Sequence, residues 1–270
     1  QGRYHVRNEI TSNDEVGQLA QAFNQMADTI VANMEELKKT DELRRELVAN
    51  ISHDLRSPLA SIQGYLETIL MKEKNLSAAD REKYLNIIYD NSRHLNRLVT
   101  ELFELSKLDA RQIEPKVEFF SMAELTQDVV MKFKPLANKL EVELQTDFAD
   151  RLPQVRADIS LIERALTNLL DNALRHTPQN GLIKVGLYRK EQQVLVSITN
   201  TGEGIPADEL PRIFERFYRT DKSRAKSSGG AGLGLAIANK ILELHNSTIQ
   251  VQSVANEKTT FSFALKGESA

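Results

Sequence analysis

Apolar side chains fall into three patterns along this chain of 270 residues. Leu19, Phe23, Met26, Ile30, Met34 and Leu37 recur every three or four positions, one apolar stripe on a helix that begins near Asp14-Glu15-Val16-Gly17. Val48, Ile51, Leu55, Pro58, Ile62, Tyr65 and Ile69 step by three and four, and so do Tyr84, Ile88, Asn91, Leu95, Leu98, Leu102 and Leu105. A polar break at 72–79 separates these two heptad-patterned stretches, which predicts an antiparallel helical hairpin. Two helices bury little core alone, so the hairpin is expected to dimerise into a four-helix bundle. These stripe residues are read as core.

After residue 116 the period changes. Short strand-like runs at 141–146, 183–188, 194–199, 248–251 and 260–265 alternate with helical runs at 122–137, 160–176 and 232–245. That mixture predicts a single α+β domain. Residues 112–116 hold the first proline after the hairpin and read as a hinge. The expected organisation is therefore multidomain: a stalk at 1–38, an all-α hairpin at 39–111 and an α+β domain at 116–267.

Composition changes this picture little. A net charge of −3 with 27% charged residues describes an ordinary surface, and the basic residues form no long run, so no nucleic-acid partner is called for. The absence of cysteine excludes disulfide and thiolate–metal chemistry. No apolar run approaches the roughly 18–20 residues that span a bilayer. The chain opens at Gln1 and is read as a soluble piece of something longer.

The heptad determines where the chemistry is exposed. With Val48 and Leu55 at a and Ile51 and Pro58 at d, His53 falls at f, farthest from the seam. Asp54 follows it, and Ser57 lies one turn on. A neutral imidazole is a nucleophile near pH 7, and a neighbouring carboxylate can hold its other nitrogen and take the proton. Pro58 removes a donor from the Asp54 carbonyl, so a kink is expected there. A lone His-Asp pair on a helix is ordinarily a solvated surface pair; the motifs downstream give it another meaning.

Asn168, Asn172 and Arg175 share one face of a predicted helix that runs to His176 and Thr177. Amide oxygens suit Mg²⁺ and a guanidinium suits phosphate, though surface asparagines on an amphipathic helix read the same way. Asn200-Thr201-Gly202-Glu203-Gly204-Ile205 follows a strand; its glycines admit a flat ligand, or form a plain turn. Gly230-Ala231-Gly232-Leu233-Gly234-Leu235 opens a helix, which makes an anion cradle or an ordinary helix start. Between them, Phe214 and Phe217 are read as packing beside a lid that carries Lys222, Arg224 and Lys226.

In this order these segments resemble a two-component sensor histidine kinase over roughly residues 40–266. His53 lies in its phospho-acceptor box, 168–177 in its asparagine box, 200–205 and 230–235 in its glycine boxes and 213–218 in its phenylalanine box. Residues 14–19 with Phe23 and Met26 resemble the second half of a HAMP signal relay. The resemblance implies a dimerising phosphotransfer hairpin and an ATP-binding sandwich of the gyrase type. It implies His53, Asp54 and Ser57 as catalytic residues. It implies ATP contacts from Asn168, Asn172, Arg175, His176, Asn200, Gly202, Gly204, Gly230, Gly232, Gly234 and Leu235, and Mg²⁺ at Asn172. It further implies autophosphorylation of His53 by ATP, transfer to an aspartate of a response-regulator receiver domain, a homodimer, and attachment to a bacterial membrane through segments upstream.

Three positions depart from the family pattern. Asn200 stands where Asp is usual and keeps a carbonyl acceptor without the charge. Ser57 stands where Thr or Asn supports phosphatase activity, which its hydroxyl could also serve. Lys258-Thr259-Thr260-Phe261 replaces a stretch that usually contains glycine, with Thr260 expected near the adenine. The competing readings are a dimeric signalling scaffold that lacks turnover and an ATP-driven clamp, the latter opposed by the heptad hairpin.

Overall fold

The computed structural model describes residues 14–72, 76–110, 112–218 and 232–268, without the side chains of 39, 40, 42–44, 46 and 47. The chain divides into two compact units, Gln1–Ser57 and Pro58–Ala270. Helix α1 (Glu15–Met71) is unbroken through Pro58, so the stalk and the first hairpin helix are one element. Asp14 starts it, with Oδ1 accepting from the backbone N–H groups of Val16 and Gly17 at 3.1 Å each. In the first unit the predicted stripe is present but uncovered: Leu19, Phe23, Met26, Ile30, Met34 and Leu37 are all exposed.

In the second unit the rest of α1 pairs with α2 (Ala78–Asp109). Ser77 caps α2: its hydroxyl accepts from Asp80 N at 3.0 Å and donates to the Asp80 carboxylate at 2.6 Å. The Tyr65 and Tyr84 rings meet across the hairpin at 5.1 Å. Asn91, a polar member of the heptad, donates to Ile87 O at 2.8 Å and to Ser61 Oγ at 3.4 Å. Pro58, Ile69, Leu98, Leu105 and Leu108 are buried.

The α+β part comprises β1 (Glu118–Phe120), α3 (Met122–Lys139), β2 (Glu143–Phe148), β3 (Gln154–Ala157), α4 (Ile159–His176), β4 (Leu182–Lys190), β5 (Gln193–Thr201), a 3-10 turn at Leu210–Arg212, α5 (Gly234–Leu244), β6 (Gln250–Val254) and β7 (Lys258–Glu268). The strands form one sheet in the order β1-β3-β7-β5-β4-β2, with β6 on β7. Among the described strands only β2 against β4 is parallel. Strict alternation of buried and part-exposed positions along β5 and β7 shows a sheet covered on one face. The cover is helical: α4 packs on β5, α3 and α5, and α3 packs on β2. Ile162, Ala165, Leu166, Leu169 and Ala173 are wholly buried, which fixes the rotation of α4.

Among the described residues, two ion pairs join the hairpin to this domain. Arg164 of α4 grips Glu104 of α2 through Nη2 at 2.9 Å and Nε at 3.1 Å. Arg216 reaches Asp109 at 2.7 Å. Nearby, burial pushes the Glu101 carboxyl above its ordinary value, against the pull of Arg97, Arg164 and Arg175. A raised carboxyl favours the protonated form, so its contribution is full below the unfolded pKa and is lost as pH rises through the folded one. Glu101→Gln is therefore expected to raise the melting temperature at pH 7, with a gain that shrinks as the pH falls through the raised value and is gone below about pH 4. A gain independent of pH would disprove the burial penalty.

Candidate functional site

In the first unit, the His53 side chain is 82% exposed, as its f position requires. Its Nδ1 lies 3.1 Å from Asp54 Oδ1. A carboxylate only accepts, so this contact assigns the proton to Nδ1 and leaves the Nε2 lone pair free. Ser57 is exposed. Pro58 offers no N–H to the Asp54 carbonyl, yet the helix continues past it.

In the second unit, α4 places the asparagine-box residues. Asp158 caps its start through Oδ1, which accepts from Ser160 N and Leu161 N. Asn168 is buried at 8% exposure, and its Nδ2 has no hydrogen-bond partner. The start of α5 lies against it: a Cβ built on Gly234 would stand 3.8 Å from Asn168 Cβ, Cγ and Oδ1. Asn172 and Arg175 are half-buried and His176 is exposed. Arg175 Nε donates to Asp171 at 2.8 Å, so its guanidinium is held along its own helix.

The first glycine segment is pressed into the same region. A Cβ at Gly202 would come within 2.4 Å of the His176 carbonyl oxygen, and Gly204 sits at φ +74 with Val254 O at 2.7 Å from a built Cβ. Asn200 is buried on the helix-covered face of β5, and its Nδ2 donates to Thr201 O at 3.2 Å, which leaves Oδ1 as its acceptor. Register pairs Asn200 with Thr259 and Thr199 with Thr260. Thr260, expected near the adenine, instead bonds Thr199 at 2.9 Å on the opposite face. Thr259 is the buried neighbour of Asn200. It continues through Ser253 (2.8 Å) to the backbone N–H of Ile205 (2.8 Å), which braces the glycine turn. Sequence reading missed Thr259 and Ser253; the phase of Phe261, Phe263 and Leu265 would have put Thr259 on the inner face.

Gly232, at φ +69, is held by Phe217, whose N–H donates to Gly232 O at 3.0 Å. Phe217 itself has φ +59, an unfavourable conformation for an aromatic residue, and is buried. Phe214 meets Phe261 edge-on at 6.4 Å, so both aromatics pack as expected. Leu235 is half-buried in the first turn of α5. Gly230, Lys222, Arg224 and Lys226 lie outside the described residues.

A nucleotide fits this arrangement on two observations. Asn168 carries a buried donor with nothing to bond, and the glycine positions form cradles that a Cβ would fill. Among the described residues no three His, Cys, Asp or Glu side chains group as a metal site. Asn172, half-buried on α4, presents a side-chain amide of the kind whose oxygen suits a hard cation. No described helix is long and apolar enough to cross a membrane.

Family models match three stretches of the chain. Residues 157–269 match the histidine kinase-, DNA gyrase B- and HSP90-like ATPase, 43–111 the His Kinase A (phospho-acceptor) domain, and 1–32 the HAMP domain. The Staphylococcus aureus signal transduction histidine-protein kinase ArlS is 34% identical over 93% of this chain and 53% of its own length. The Bacillus subtilis sensor histidine kinase WalK is 32% identical over 87% of this chain and 39% of its own. The chain thus spans about half the length, or less, of these curated relatives. The crystal structure of histidine kinase ThkA in complex with response regulator protein TrrA matches with a TM-score of 0.67 and 26% identity, covering 88% of this chain and 66% of that one.

The close approach at Gly202 makes it a sharp probe of the site. Gly202→Ala forces a methyl against the His176 carbonyl and is expected to weaken binding of a fluorescent ATP analogue at least tenfold, about 1.4 kcal/mol. Unchanged affinity would show that the first glycine turn does not border the nucleotide.

Proposed function

The chain belongs to the two-component sensor histidine kinases, and from that premise we propose that it phosphorylates its own His53 from ATP and passes the phosphoryl group to an aspartate of a response-regulator receiver domain. The observation that carries this reading is the state of His53: exposed, with Nδ1 committed to Asp54 and Nε2 free.

Nε2 attacks the γ-phosphorus of ATP. The N–P bond forms as the bond to the β,γ-bridging oxygen breaks, and that electron pair leaves on ADP. Attack makes the ring cationic, and Asp54 accepts the Nδ1 proton. Asn200 Oδ1 takes the adenine amine, Asn168 donates to the nucleotide, and Arg175 exchanges Asp171 for phosphate oxygens. Mg²⁺ held through Asn172 would neutralise phosphate charge. His176, Gly204, Gly232, Gly234 and Leu235 line the site. Ser57 orients water in a phosphatase reaction on the regulator.

The proposed organisation keeps a HAMP portion at 1–38, a phosphotransfer hairpin at 39–111 and an ATP-binding domain at 116–267. The exposed stripe of the first unit supports a homodimer that covers it, and the HAMP match supports membrane attachment of the full-length protein.

The deciding experiment is incubation with γ-labelled ATP and Mg²⁺. Label that is stable in base and labile in acid is expected, lost in His53→Gln and reduced at least a hundredfold in Asn172→Ala. Nucleotide binding without label in the parent chain would point to a signalling scaffold, and ATP hydrolysis without phosphohistidine to a clamp.

A further inference from the structure

Asp158 joins three segments that are far apart in sequence. Its Oδ1 caps α4, accepting from Ser160 N (3.0 Å), Ser160 Oγ (2.7 Å) and Leu161 N (3.1 Å). Its Oδ2 accepts from the backbone N–H of Lys116 at 2.8 Å, at the end of the 112–116 segment that leaves the hairpin. Its own backbone N–H donates to His245 Nε2 at 3.0 Å, at the C-terminus of α5. The other His245 nitrogen, Nδ1, lies 2.7 Å from the Ile241 carbonyl. A carbonyl only accepts, so Nδ1 carries the proton and Nε2 is the acceptor that Asp158 needs.

Helix capping does not require all of this. One side-chain oxygen satisfies the first turn of a helix, and Ser or Asn caps about as well as Asp. The second carboxylate oxygen and the backbone donor are committed elsewhere, to the interdomain segment and to α5. These are the two connections that matter to the nucleotide site, because α4 carries Asn168 and Asn172 and α5 begins at Gly234. Asp158 is buried. Burial pushes its carboxyl up, but the donors from Ser160, Leu161 and Lys116 outweigh that and hold it below the ordinary carboxylate range. The grip on Lys116 is thus made by an ionised group across the neutral pH range.

We propose that Asp158 is a positioning residue for phosphoryl transfer, a node that ties the 112–116 segment to the starting turn of α4 and the final turn of α5. Through it, the path of the chain leaving the hairpin is coupled to the two helices that bear the nucleotide residues. The functional part rests on the kinase reading above; the node itself does not.

Three variants separate the node from the cap. Asp158→Ser and Asp158→Asn keep an acceptor for Ser160 and Leu161 but offer none to Lys116. Lys116→Pro removes the backbone donor, along with the lysine side chain, and leaves Asp158 itself intact. In all three, thermal unfolding and affinity for a fluorescent ATP analogue should stay within about twofold of the parent. The initial rate of His53 labelling at saturating ATP should fall at least fivefold with an unchanged KM. Amide hydrogen exchange at residues 116–117 should rise in both Asp158 variants. Labelling rates within twofold of the parent would overturn the proposal. So would losses of stability or nucleotide affinity in Asp158→Ser that track its rate while Lys116→Pro stays normal, since Asp158 would then be a cap alone. If the parent chain gives no label, the kinase reading fails, and unchanged exchange at 116–117 in Asp158→Ser would independently remove the node.

Discussion

The burial of one face of α4 is the constraint on which the nucleotide site depends. Ile162, Leu166 and Leu169 are wholly buried, and each such side chain contributes roughly 1.5–3 kcal/mol. An unpartnered buried amide such as Asn168 Nδ2 costs about 1–3 kcal/mol. The packing outweighs that cost several times over, so the helix can hold an unsatisfied donor in place without losing its position. A helix turns 100° per residue, so fixing the leucines also fixes Asn168, Asn172 and Arg175 on the adjoining strip. The functional residues need no rigidity of their own.

The phospho-acceptor helix uses the same logic with the opposite outcome. There the heptad places His53 opposite the predicted seam and leaves it exposed, as the proposed nucleophile must be if a separate domain is to reach it. Pro58 in a helix interior costs on the order of 3 kcal/mol. It is buried in the seam, and the carbonyl it leaves without a helical donor belongs to Asp54, the residue that holds the His53 ring. The local defect therefore falls beside the proposed phospho-acceptor.

Much of this was legible in the sequence, and the reasons are physical. The heptads of α1 and α2 and the amphipathic strip of α4 are long and strongly periodic, so the hairpin and the central helix could be read directly. Strands β4, β5 and β7 run for nine or more residues, β5 and β7 with strict alternation, and were placed to within a few positions. Strands β1 and β3, of three and four residues, carry too short a pattern to be seen. The break between stalk and hairpin was read from a change of stripe, whereas a helix can bear two stripes without interruption. The candidate site residues lie in contiguous motifs and could be proposed from them; Thr259 and Ser253 escaped because strand register, which no local motif encodes, brings them to Asn200 and Ile205.

The hairpin's hold on the ATP-binding domain divides between two kinds of force. Leu105 and Leu108 are almost fully buried in the stretch of α2 that packs near α5, and apolar burial attracts without specifying direction. The forked contact between Arg164 and Glu104 does specify direction, since both guanidinium nitrogens must face one carboxylate. Partly exposed pairs of this kind contribute about 1 kcal/mol or less, so they set register more than strength. Arg164 stands one turn before Asn168 on α4, and Arg216 adjoins Phe217, which holds Gly232. A turn of α2 by one residue would swing Glu104 about 100° away from Arg164. The apolar contact can survive such a change, but the ion pair cannot. Rotation of the hairpin helix would thus break the contact at Arg164, one turn from the asparagine whose amide nitrogen has no hydrogen-bond partner.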